Sequence, residues 1–350
     1  MVQIRQEKKA QSMTASDKIL LAHGGGGRLT DELIHSIILP AFNNQTLSKL
    51  TDAAEIPAGK DNICFTTDSY VVKPLFFSGG DIGKLAVCGT INDLAVSGAK
   101  PIALSLSLII EEGFEIDVLK KILASAAKAA KEENILIVCG DTKVVEAGCA
   151  DKIFINTSGI GFKLPGADVG FERISAGDKI IISGTIGDHG MTIMSQREGM
   201  KFETEMKSDC GSVAQICAKA IDALDGEIKF MRDPTRGGLA ATLNEIVSQT
   251  DYGIDIYEEN IPVNPTVRAA ADMLGFDILN IANEGKVVIV VSEKNAEKCL
   301  EICKACKNGK DAAIIGRVVK SDEPLVELVT MIKGRRIVQM PYGRELPRIC

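Results

Sequence analysis

The sequence predicts a mixed α/β (α+β) fold: two α/β domains of similar size, followed by a flexible C-terminal tail. Strand and helix patterns alternate through both halves of the 350-residue chain, a length at which two domains are usual. Residues 164–177 contain several Pro and Gly residues and separate the halves. We therefore expect a disordered polar extension over 1–18, an N-terminal α/β domain over 19–165, a C-terminal α/β domain over 166–340 and a mobile tail over 341–350.

In the first half, alternation of Leu or Ile with Ser predicts a strand at residues 103–110, and a continuous apolar run predicts a buried strand at 135–139. Apolar residues at helical spacing predict a helix over 117–132. The other elements of this half are a strand at 62–68, a helix of small residues at 82–97 and a strand at 152–161.

The second half continues the alternation. Strands are expected at 179–183, 253–257, 276–282, 286–292, 312–319 and 326–331. Helices are expected at 191–198, 212–224, 238–248, 265–274 and 295–307. The last helix carries Cys299, Cys303 and Cys306, a spacing that also occurs in iron–sulfur cluster motifs. Because these thiols recur at i, i+4 and i+7, we expect a buried helix face rather than a metal site.

The composition excludes several classes of function. A formal net charge of −7, 4% aromatic residues and no Trp argue against a surface for nucleic acid or anionic membrane. There is no apolar run of membrane-spanning length and no secretory signal pattern. We expect a soluble, cytoplasmic protein whose ten cysteines are reduced thiols. Cys64, Cys88 and Cys139 stand in apolar stretches and are predicted to be small core residues.

The last residue of the sequence is Cys350, and Pro and Gly residues exclude regular helix or central strand from the segment before it. Ten extended residues reach at most roughly 35 Å. Such an arm is able to carry a group bonded to sulfur from one site to another. Arg344 and Arg348 would favour the thiolate, the reactive form. The alternative is a frayed end with an incidental cysteine.

Four consecutive glycines precede a helix predicted to begin near Thr30: Gly24, Gly25, Gly26 and Gly27. Glycines leave the backbone amides uncovered and allow positive φ angles, which suits a loop folding over phosphates. No Gly-Lys-Ser/Thr follows, so this is not a Walker A loop. A flexible linker is equally compatible with the pattern.

Five acids stand at the ends of apolar elements or inside them: Asp68, Asp81, Asp93, Asp141 and Asp233. Carboxylates rarely occupy such positions without a partner. Several of them converging on one face would repel each other unless cations neutralised them. Hard oxygen ligands suit Mg²⁺, and Mg²⁺ in turn points to phosphates. The alternative is that each acid caps a helix or closes a turn, which fits least well for Asp93 inside its helix.

Six segments, taken in order, resemble one known family. They are His-Gly-Gly-Gly-Gly (23–27), residues 79–95, Cys-Gly-Asp-Thr-Lys-Val-Val (139–145), Arg-Asp-Pro-Thr-Arg-Gly-Gly-Leu (232–239), Asn-Glu-Gly (283–285) and the ending Pro-Arg-Ile-Cys. Together they are similar to the HypE family of nickel–iron hydrogenase maturation proteins, within the aminoimidazole-ribonucleotide-synthetase-like superfamily.

The resemblance implies an ATP- and Mg²⁺-dependent carbamoyl dehydratase in which the N-terminal domain over 19–165 is the ATP-binding domain. A partner, HypF, would place a carbamoyl group on Cys350; the protein would dehydrate it to a thiocyanate, and the cyano group would pass to iron held by a HypC–HypD complex. A homodimer is also implied. The alternatives are another enzyme of the superfamily, such as a selenophosphate synthetase or a thiamine-phosphate kinase, and a carrier without catalysis. Neither kind of superfamily enzyme needs Cys350, and a carrier would not turn over ATP.

The same resemblance assigns site residues. Gly24, Gly25, Gly26 and Gly27 would cover the phosphates, and the nucleotide would be bound by Asp68, Asp81, Lys84, Asn92, Asp141 and Thr142. The Mg²⁺ ligands would be Asp68, Asp93, Asp141 and Asp233. Cys350 would carry the substrate, with Glu284 and Lys143 near the sulfur-bound group. Glu284 follows an apolar segment, so we expect burial to raise its pKa towards that of a useful base.

Overall fold

The computed structural model describes residues 27–42, 46–58, 61–199, 206–343 and 349–350. The extension predicted over 1–18 lies outside these residues, as do Gly24, Gly25 and Gly26 and the two arginines of the tail. The described chain begins at a helix, Arg28–Leu33 (α1), which continues through a π-helical turn into Leu39–Phe42 (α2).

The described residues of the first half form seven strands: Ala54–Ala58 (β1), Asp61–Tyr70 (β2), Phe76–Phe77 (β3), Gly80–Asp81 (β4), Ala99–Glu111 (β5), Leu136–Val145 (β6) and Ile153–Lys163 (β7). Five of them form a sheet in the order β1-β2-β7-β5-β6, in which only the β5–β6 pair is parallel. Two helices, Ile82–Val96 (α3) and Ile116–Glu132 (α4), pack on one face of this sheet. Alternate residues of β7 are buried on that face, as strand geometry requires.

The second half is built on a larger sheet. Its strands are Lys179–Ile182 (β8), Ile228–Arg232 (β9), Tyr252–Tyr257 (β10), Val288–Val291 (β11), Ala313–Lys320 (β12), Val326–Val329 (β13) and Arg335–Ile337 (β14). They lie in the order β14-β13-β10-β12-β8-β11-β9. The helices are Asp188–Arg197 (α5), Ala214–Leu224 (α6), Gly238–Gln249 (α7), Pro265–Leu274 (α8) and Ala296–Lys304 (α9).

Helices cover both faces of this second sheet. Ile180 and Ile182 of β8 face the core formed with α7 and α8, whereas Ile181 between them faces α6 and α9. The end of α3, at Val96, packs into the second of these cores and so joins the two halves. Burial of both faces explains why β8 and β11 are continuous Ile and Val runs.

Most of the predicted elements are confirmed, and the helix Pro265–Leu274 has the predicted bounds. The strand predicted at 276–282 is wrong: a 3₁₀ turn, Ile278–Asn280, forms there because the Asp277 carboxylate accepts a hydrogen bond from the Leu279 amide. The predicted burial of the strand at 135–139 is also wrong, since β6 is an edge strand and Cys139 is exposed. The strands β1, β3, β4, β9 and β14 are not among the predicted elements.

Most of the remaining expectations for cysteines are confirmed. Cys64 and Cys88 are buried. Cys299, Cys303 and Cys306 are buried in one apolar cluster beside α6. The predicted helix face is confirmed for Cys299 and Cys303, whereas Cys306 lies beyond the end of α9 at Lys304. All ten cysteines are free thiols. No helix among the described residues is long and apolar enough to span a bilayer.

Candidate active site

A cleft of about 200 Å³ lies between the two halves and contains the end of the chain. The first half contributes residues from β2, from α3 and from the segment before β1. The second half contributes the loop after β9 and the loop before β11. The lining residues are Asp52, Thr66, Thr67, Asp68, Gly89, Asp93, Asp233, Thr235, Arg236, Glu284 and Cys350. Three of the predicted acids therefore meet at one place.

On the side of the first half, the cleft is lined by the side chains of β2 and α3 that face each other. Asp68 lies on the same side of β2 as Thr66, towards the helix. The Thr66 hydroxyl donates a hydrogen bond of 2.9 Å to the Asp93 carboxylate. Gly89, one helical turn before Asp93, leaves the helix surface open; a Cβ there would lie 2.3 Å from the Tyr70 hydroxyl. The acid inside α3 thus faces the cleft and not the core.

The second-half wall begins where β9 ends. Arg232 pairs with Asp52 at 3.0 Å and with Glu245 at 2.8 Å, which fixes the end of the strand. Asp233 follows directly. The loop then turns through Gly237 and Gly238, both with positive φ, into α7. Within that loop, Arg236 places a guanidinium nitrogen 3.4 Å from the Asp68 carboxylate, across the cleft.

The carboxylates of the cleft destabilise each other's charge. Burial, then repulsion by Asp52, raises the pKa of Asp233 to about 8. Burial, then repulsion by Asp233, raises the pKa of Asp93 well above its ordinary value. A cation would relieve both effects. Among the described residues, however, no three His, Cys, Asp or Glu side chains are grouped closely enough to hold a metal ion unaided. The acids therefore fit an ion such as Mg²⁺ that uses one or two carboxylates and completes its shell with phosphates and water.

Glu284 is buried beside these acids, and its Oε1 has no hydrogen-bond partner. Its main chain is held from both sides. The Asn92 amide donates to the Glu284 carbonyl at 3.1 Å, and the Glu284 amide donates to the Asp209 carboxylate at 3.2 Å. Burial, followed by repulsion from Asp233, raises the pKa of Glu284 well above its ordinary value, as the sequence predicted. A buried acid with an unpaired oxygen is a functional-site signal.

Cys350 lies against Glu284. Burial and the charge of Glu284 raise the pKa of the Cys350 thiol, while Arg236 lowers it. Burial in this docked state therefore favours the protonated thiol; Arg344 and Arg348, which were expected to favour the thiolate, lie outside the described residues. Ile349 is buried in an apolar cluster with residues of both halves. Nearer the base of the tail, the Arg28 and Leu29 amides donate to the Pro341 and Tyr342 carbonyls.

Several predicted residues do not reach the cleft. Asp81 caps α3, accepting from the Gly83 amide at 2.8 Å, and Lys84 donates to the Gly79 carbonyl at 2.9 Å. Asn92 binds backbone groups, including the Val213 amide at 2.9 Å, instead of lining the cleft. Gly27 lies against Pro341, where an added Cβ would be 2.2 Å from the carbonyl oxygen.

Asp141, Thr142 and Lys143 are also absent from the cleft. They lie on β6, three strands from β2, a distance of roughly 14 Å. Lys143 pairs with Asp141 at 2.8 Å, and both side chains are exposed. By register, these two side chains share the outer face of the sheet with Ile109 and Ser107 of β5, away from α3. Within one chain, Lys143 therefore does not meet the expectation that it lies near Cys350 and Glu284.

Sequence reasoning missed Asp52, Thr66, Thr67, Thr235 and Arg236. Thr235 and Arg236 belong to the Arg-Asp-Pro-Thr-Arg segment, whose second arginine was a readable signal for a group that opposes carboxylates. Asp52 carries no such signal, because its place in the cleft depends on the long-range pair with Arg232.

Comparison with known proteins agrees with this architecture. Residues 50–162 match the family described as AIR synthase related protein, N-terminal domain, and residues 175–328 match its C-terminal domain. A carbamoyl dehydratase HypE from Bradyrhizobium diazoefficiens is 48% identical over 330 residues, 94% of this chain and 95% of that protein.

Solved structures give the same result. A chain from the crystal structure of a HypE–HypF complex superposes with a TM-score of 0.84 and 51% identity, covering 88% of this chain and 99% of that one. HypE solved in complex with ATP gives a TM-score of 0.80 and 43% identity, covering 95% of this chain and all of that one, 100%. The chain therefore belongs to the HypE family of carbamoyl dehydratases.

Proposed function

We propose that this ATP-dependent carbamoyl dehydratase converts an S-carboxamide on Cys350 to a thiocyanate within the cleft between its two halves. In sum, the S–C(=O)–NH₂ group becomes S–C≡N, and the elements of water leave as ATP becomes ADP and phosphate. The observation that carries the proposal is the position of the Cys350 thiol, buried against Glu284 in a cleft of acids. A free thiol with no role would have no reason to lie beside an unpaired buried carboxyl.

Bound with Mg²⁺, ATP would supply the phosphoryl group that turns the carboxamide oxygen into a leaving group. Asp68, Asp93 and Asp233 are the residues we propose to hold the ion and nucleotide. Arg236 opposes the charge of Asp68 and limits the repulsion in the same cleft.

Glu284 is the proposed base for the amide nitrogen. Burial raises the pKa of Glu284 most, and the charges of neighbouring acids, among them Asp233 and Asp68, raise it further. A cation that neutralised these two acids would lower the pKa of Glu284, so the carboxylate would form when the nucleotide site is loaded. Its unpaired Oε1 is then available to accept a proton. This order protects an unloaded site from premature proton transfer.

The proposed partners follow from the family. HypF would donate the carbamoyl group, consistent with the solved HypE–HypF complex. We further propose that the cyano group passes to iron held by HypC–HypD and becomes the cyanide ligand of a nickel–iron hydrogenase. The protein would work in the cytoplasm, where thiols remain reduced.

We also propose a homodimer formed through the outer face of the first sheet. That face exposes Phe65, Ile109, Ile160 and Phe162, each more than a third accessible. Exposed apolar side chains on one face of a sheet are typical of an interaction surface. Asp141 and Lys143 stand on the same face. In such a dimer they would therefore lie next to residues of the second chain and not next to the cleft of their own chain.

Mass spectrometry of the C-terminal peptide tests the reaction. After incubation with the carbamoylating partner, we expect Cys350 to gain a carbamoyl group, and on addition of ATP to lose the mass of water. Loss of the modification without an ATP-dependent dehydrated product would refute the proposal. A carrier would show no ATP turnover, and activity that survives removal of Cys350 would favour another enzyme of the superfamily. The 48% identity to a carbamoyl dehydratase disfavours both alternatives.

A further inference from the structure

A buried histidine holds the end of the tail. His189, at the start of α5, has no exposed surface. Its Nε2 lies 2.7 Å from the Ile349 carbonyl oxygen, and its Nδ1 lies 2.7 Å from the Ser208 hydroxyl. No step proposed above uses this side chain.

The hydrogen-bond directions follow from the partners. A carbonyl oxygen only accepts, so Nε2 must carry the proton and donate to Ile349. Burial lowers the pKa of His189, which keeps the ring neutral. Neutral Nδ1 then accepts from the Ser208 hydroxyl, while the Ser208 oxygen accepts from the Cys210 amide at 3.0 Å. Every polar atom of this relay has a partner, and the relay fixes the tautomer that binds the tail.

The frame around His189 is tied to the loop that carries Glu284. The Gly187 amide donates to the Asn283 side chain at 2.8 Å, and the Gly190 amide donates to the Ala282 carbonyl at 3.1 Å. Asn283 also donates to the Pro234 carbonyl at 2.9 Å, next to Asp233. Hydrogen bonds therefore connect the helix that carries His189 to the loops that carry Asp233 and Glu284.

The contact with the tail is a main-chain contact, reinforced by one apolar side chain. Ile349 is 5% exposed and packs in the cluster that contains Phe77, Met194 and Ala282. The ring of His189 itself packs edge-on against Phe77, with centroids 5.4 Å apart. The hydrogen bond fixes the orientation of the Ile349 carbonyl, and the apolar packing fixes how deeply the Ile349 side chain is buried.

We propose that His189 is a positioning residue: its Nε2–H docks the Ile349 carbonyl and so places the Cys350 sulfur, with the group it carries, against Glu284. The inference rests on the proposed function of Cys350. It predicts that His189 acts on dehydration, which needs the docked tail, and not on carbamoylation by the partner, which needs the tail presented outside.

The test compares two amide substitutions. In His189→Gln the amide nitrogen takes the place of Nε2 and keeps the donor to Ile349, whereas in His189→Asn it takes the place of Nδ1 and leaves the carbonyl unbound. Docking is read from alkylation of Cys350 by iodoacetamide in the native full-length protein, quantified on the C-terminal peptide. Exposed Cys149 in the same molecule provides the internal reference. Ser195→Ala, a buried change on the same helix away from the tail, is the control.

Loss of one buried hydrogen bond corresponds to roughly a five- to tenfold change in the docked population. We expect Cys350 of His189→Asn to be alkylated roughly five- to tenfold faster than wild type relative to Cys149, with His189→Gln and Ser195→Ala close to wild type. Single-turnover dehydration of pre-carbamoylated protein should slow by a similar factor in His189→Asn alone, and carbamoylation should not slow.

Equal protection of Cys350 in folded His189→Asn and His189→Gln overturns the proposal, and melting temperatures establish that both variants are folded. If His189→Asn does not fold, Ser208→Ala replaces it: the ring then loses the donor that fixes its tautomer, and unchanged protection of Cys350 overturns the relay. Absence of dehydration in the wild-type protein would refute the proposed function while leaving the alkylation test of docking intact.

Discussion

Replacing Asp233 by asparagine is expected to stabilise the nucleotide-free protein and to weaken its binding of Mg–ATP. The physical reason is that the carboxyl is buried among other acids. Its pKa of about 8 in the folded protein compares with an ordinary value of 3.8. At neutral pH the folded protein therefore keeps this carboxyl protonated, whereas the unfolded chain releases the proton. This difference in proton binding lowers the free energy of unfolding.

The sign and the pH window follow directly. Because the pKa is raised on folding, the penalty is absent below about pH 4, grows as the pH rises from 3.8, and levels off above about pH 8. One pKa unit corresponds to about 1.36 kcal/mol, so the interval from 3.8 to pH 7 sets a ceiling of about 4 kcal/mol. Water entering the cleft reduces this, and we expect about 1–3 kcal/mol, or a few degrees in melting temperature.

The neighbouring acid makes the prediction sharper. Asp233 is the largest charge raising the pKa of Asp93. Once Asp233→Asn removes that charge, Asp93 ionises more readily, so a second substitution, Asp93→Asn, should add less than it contributes alone. Binding of Mg–ATP should fall in both single variants, because each removes a proposed ligand of the cation.

Differential scanning fluorimetry from pH 5 to pH 8.5, with and without Mg–ATP, measures all of this. The matched control is Asp255→Asn. Asp255 is also buried but pairs with Arg335 at 2.8 Å, so its loss should lower the melting temperature. A melting temperature of Asp233→Asn that is unchanged at pH 8, or a gain that is the same at pH 5 and pH 8, would refute the electrostatic reasoning. Unchanged Mg–ATP affinity would remove Asp233 from the proposed site.

Three further predictions concern the proposed reaction. Glu284→Gln should still accept carbamate at Cys350 and bind ATP, but thiocyanate formation should slow roughly 10²-fold or more, the usual contribution of a general base; wild-type rates in rapid-quench assays would exclude Glu284 as the base. Cys350→Ala should keep its melting temperature within about one degree, with carbamoylation abolished, and modification of another cysteine would contradict the assignment. If Lys143 acts across a homodimer, Lys143→Ala should be inactive alone and should regain activity when mixed with Glu284→Gln, because the mixed dimer has one site with both Glu284 and a Lys143 from the other chain. No recovery after verified subunit exchange would contradict that role.

Local pattern was sufficient for most helices and strands. The amphipathic periodicity of 116–132 and the Asn264 cap with Pro265 at the first turn mark helices wherever they are placed. Prediction from hydrophobic pattern was wrong where a hydrogen bond from one side chain determined the backbone conformation. At 276–282, hydrophobicity favoured a strand, but the carboxylate of Asp277 closes a turn there.

The site was predictable in part for a similar reason. Asp68, Asp93 and Asp233 stand within apolar elements or directly after them, and these three meet in the cleft. Asp81 stands at a helix start and has a local partner, the Gly83 amide, so its burial reflects capping. Sequence order cannot reveal which strand lies at a sheet edge, and for that reason the position of Lys143 could not be foreseen.

The anchoring of the tail at its base limits how a second enzyme can approach. Pro341 and Tyr342 are bound to the start of α1 through two main-chain hydrogen bonds, and the Arg28 guanidinium stacks 4.4 Å above the Tyr342 ring. Cys350 follows Gly343 by seven residues, so while these contacts persist the Cys350 sulfur cannot lie farther than roughly 25 Å from Gly343. If HypF donates the carbamoyl group as proposed, its active site must come within about 25 Å of Gly343. We therefore expect the partner enzyme to bind close to the first turn of α1.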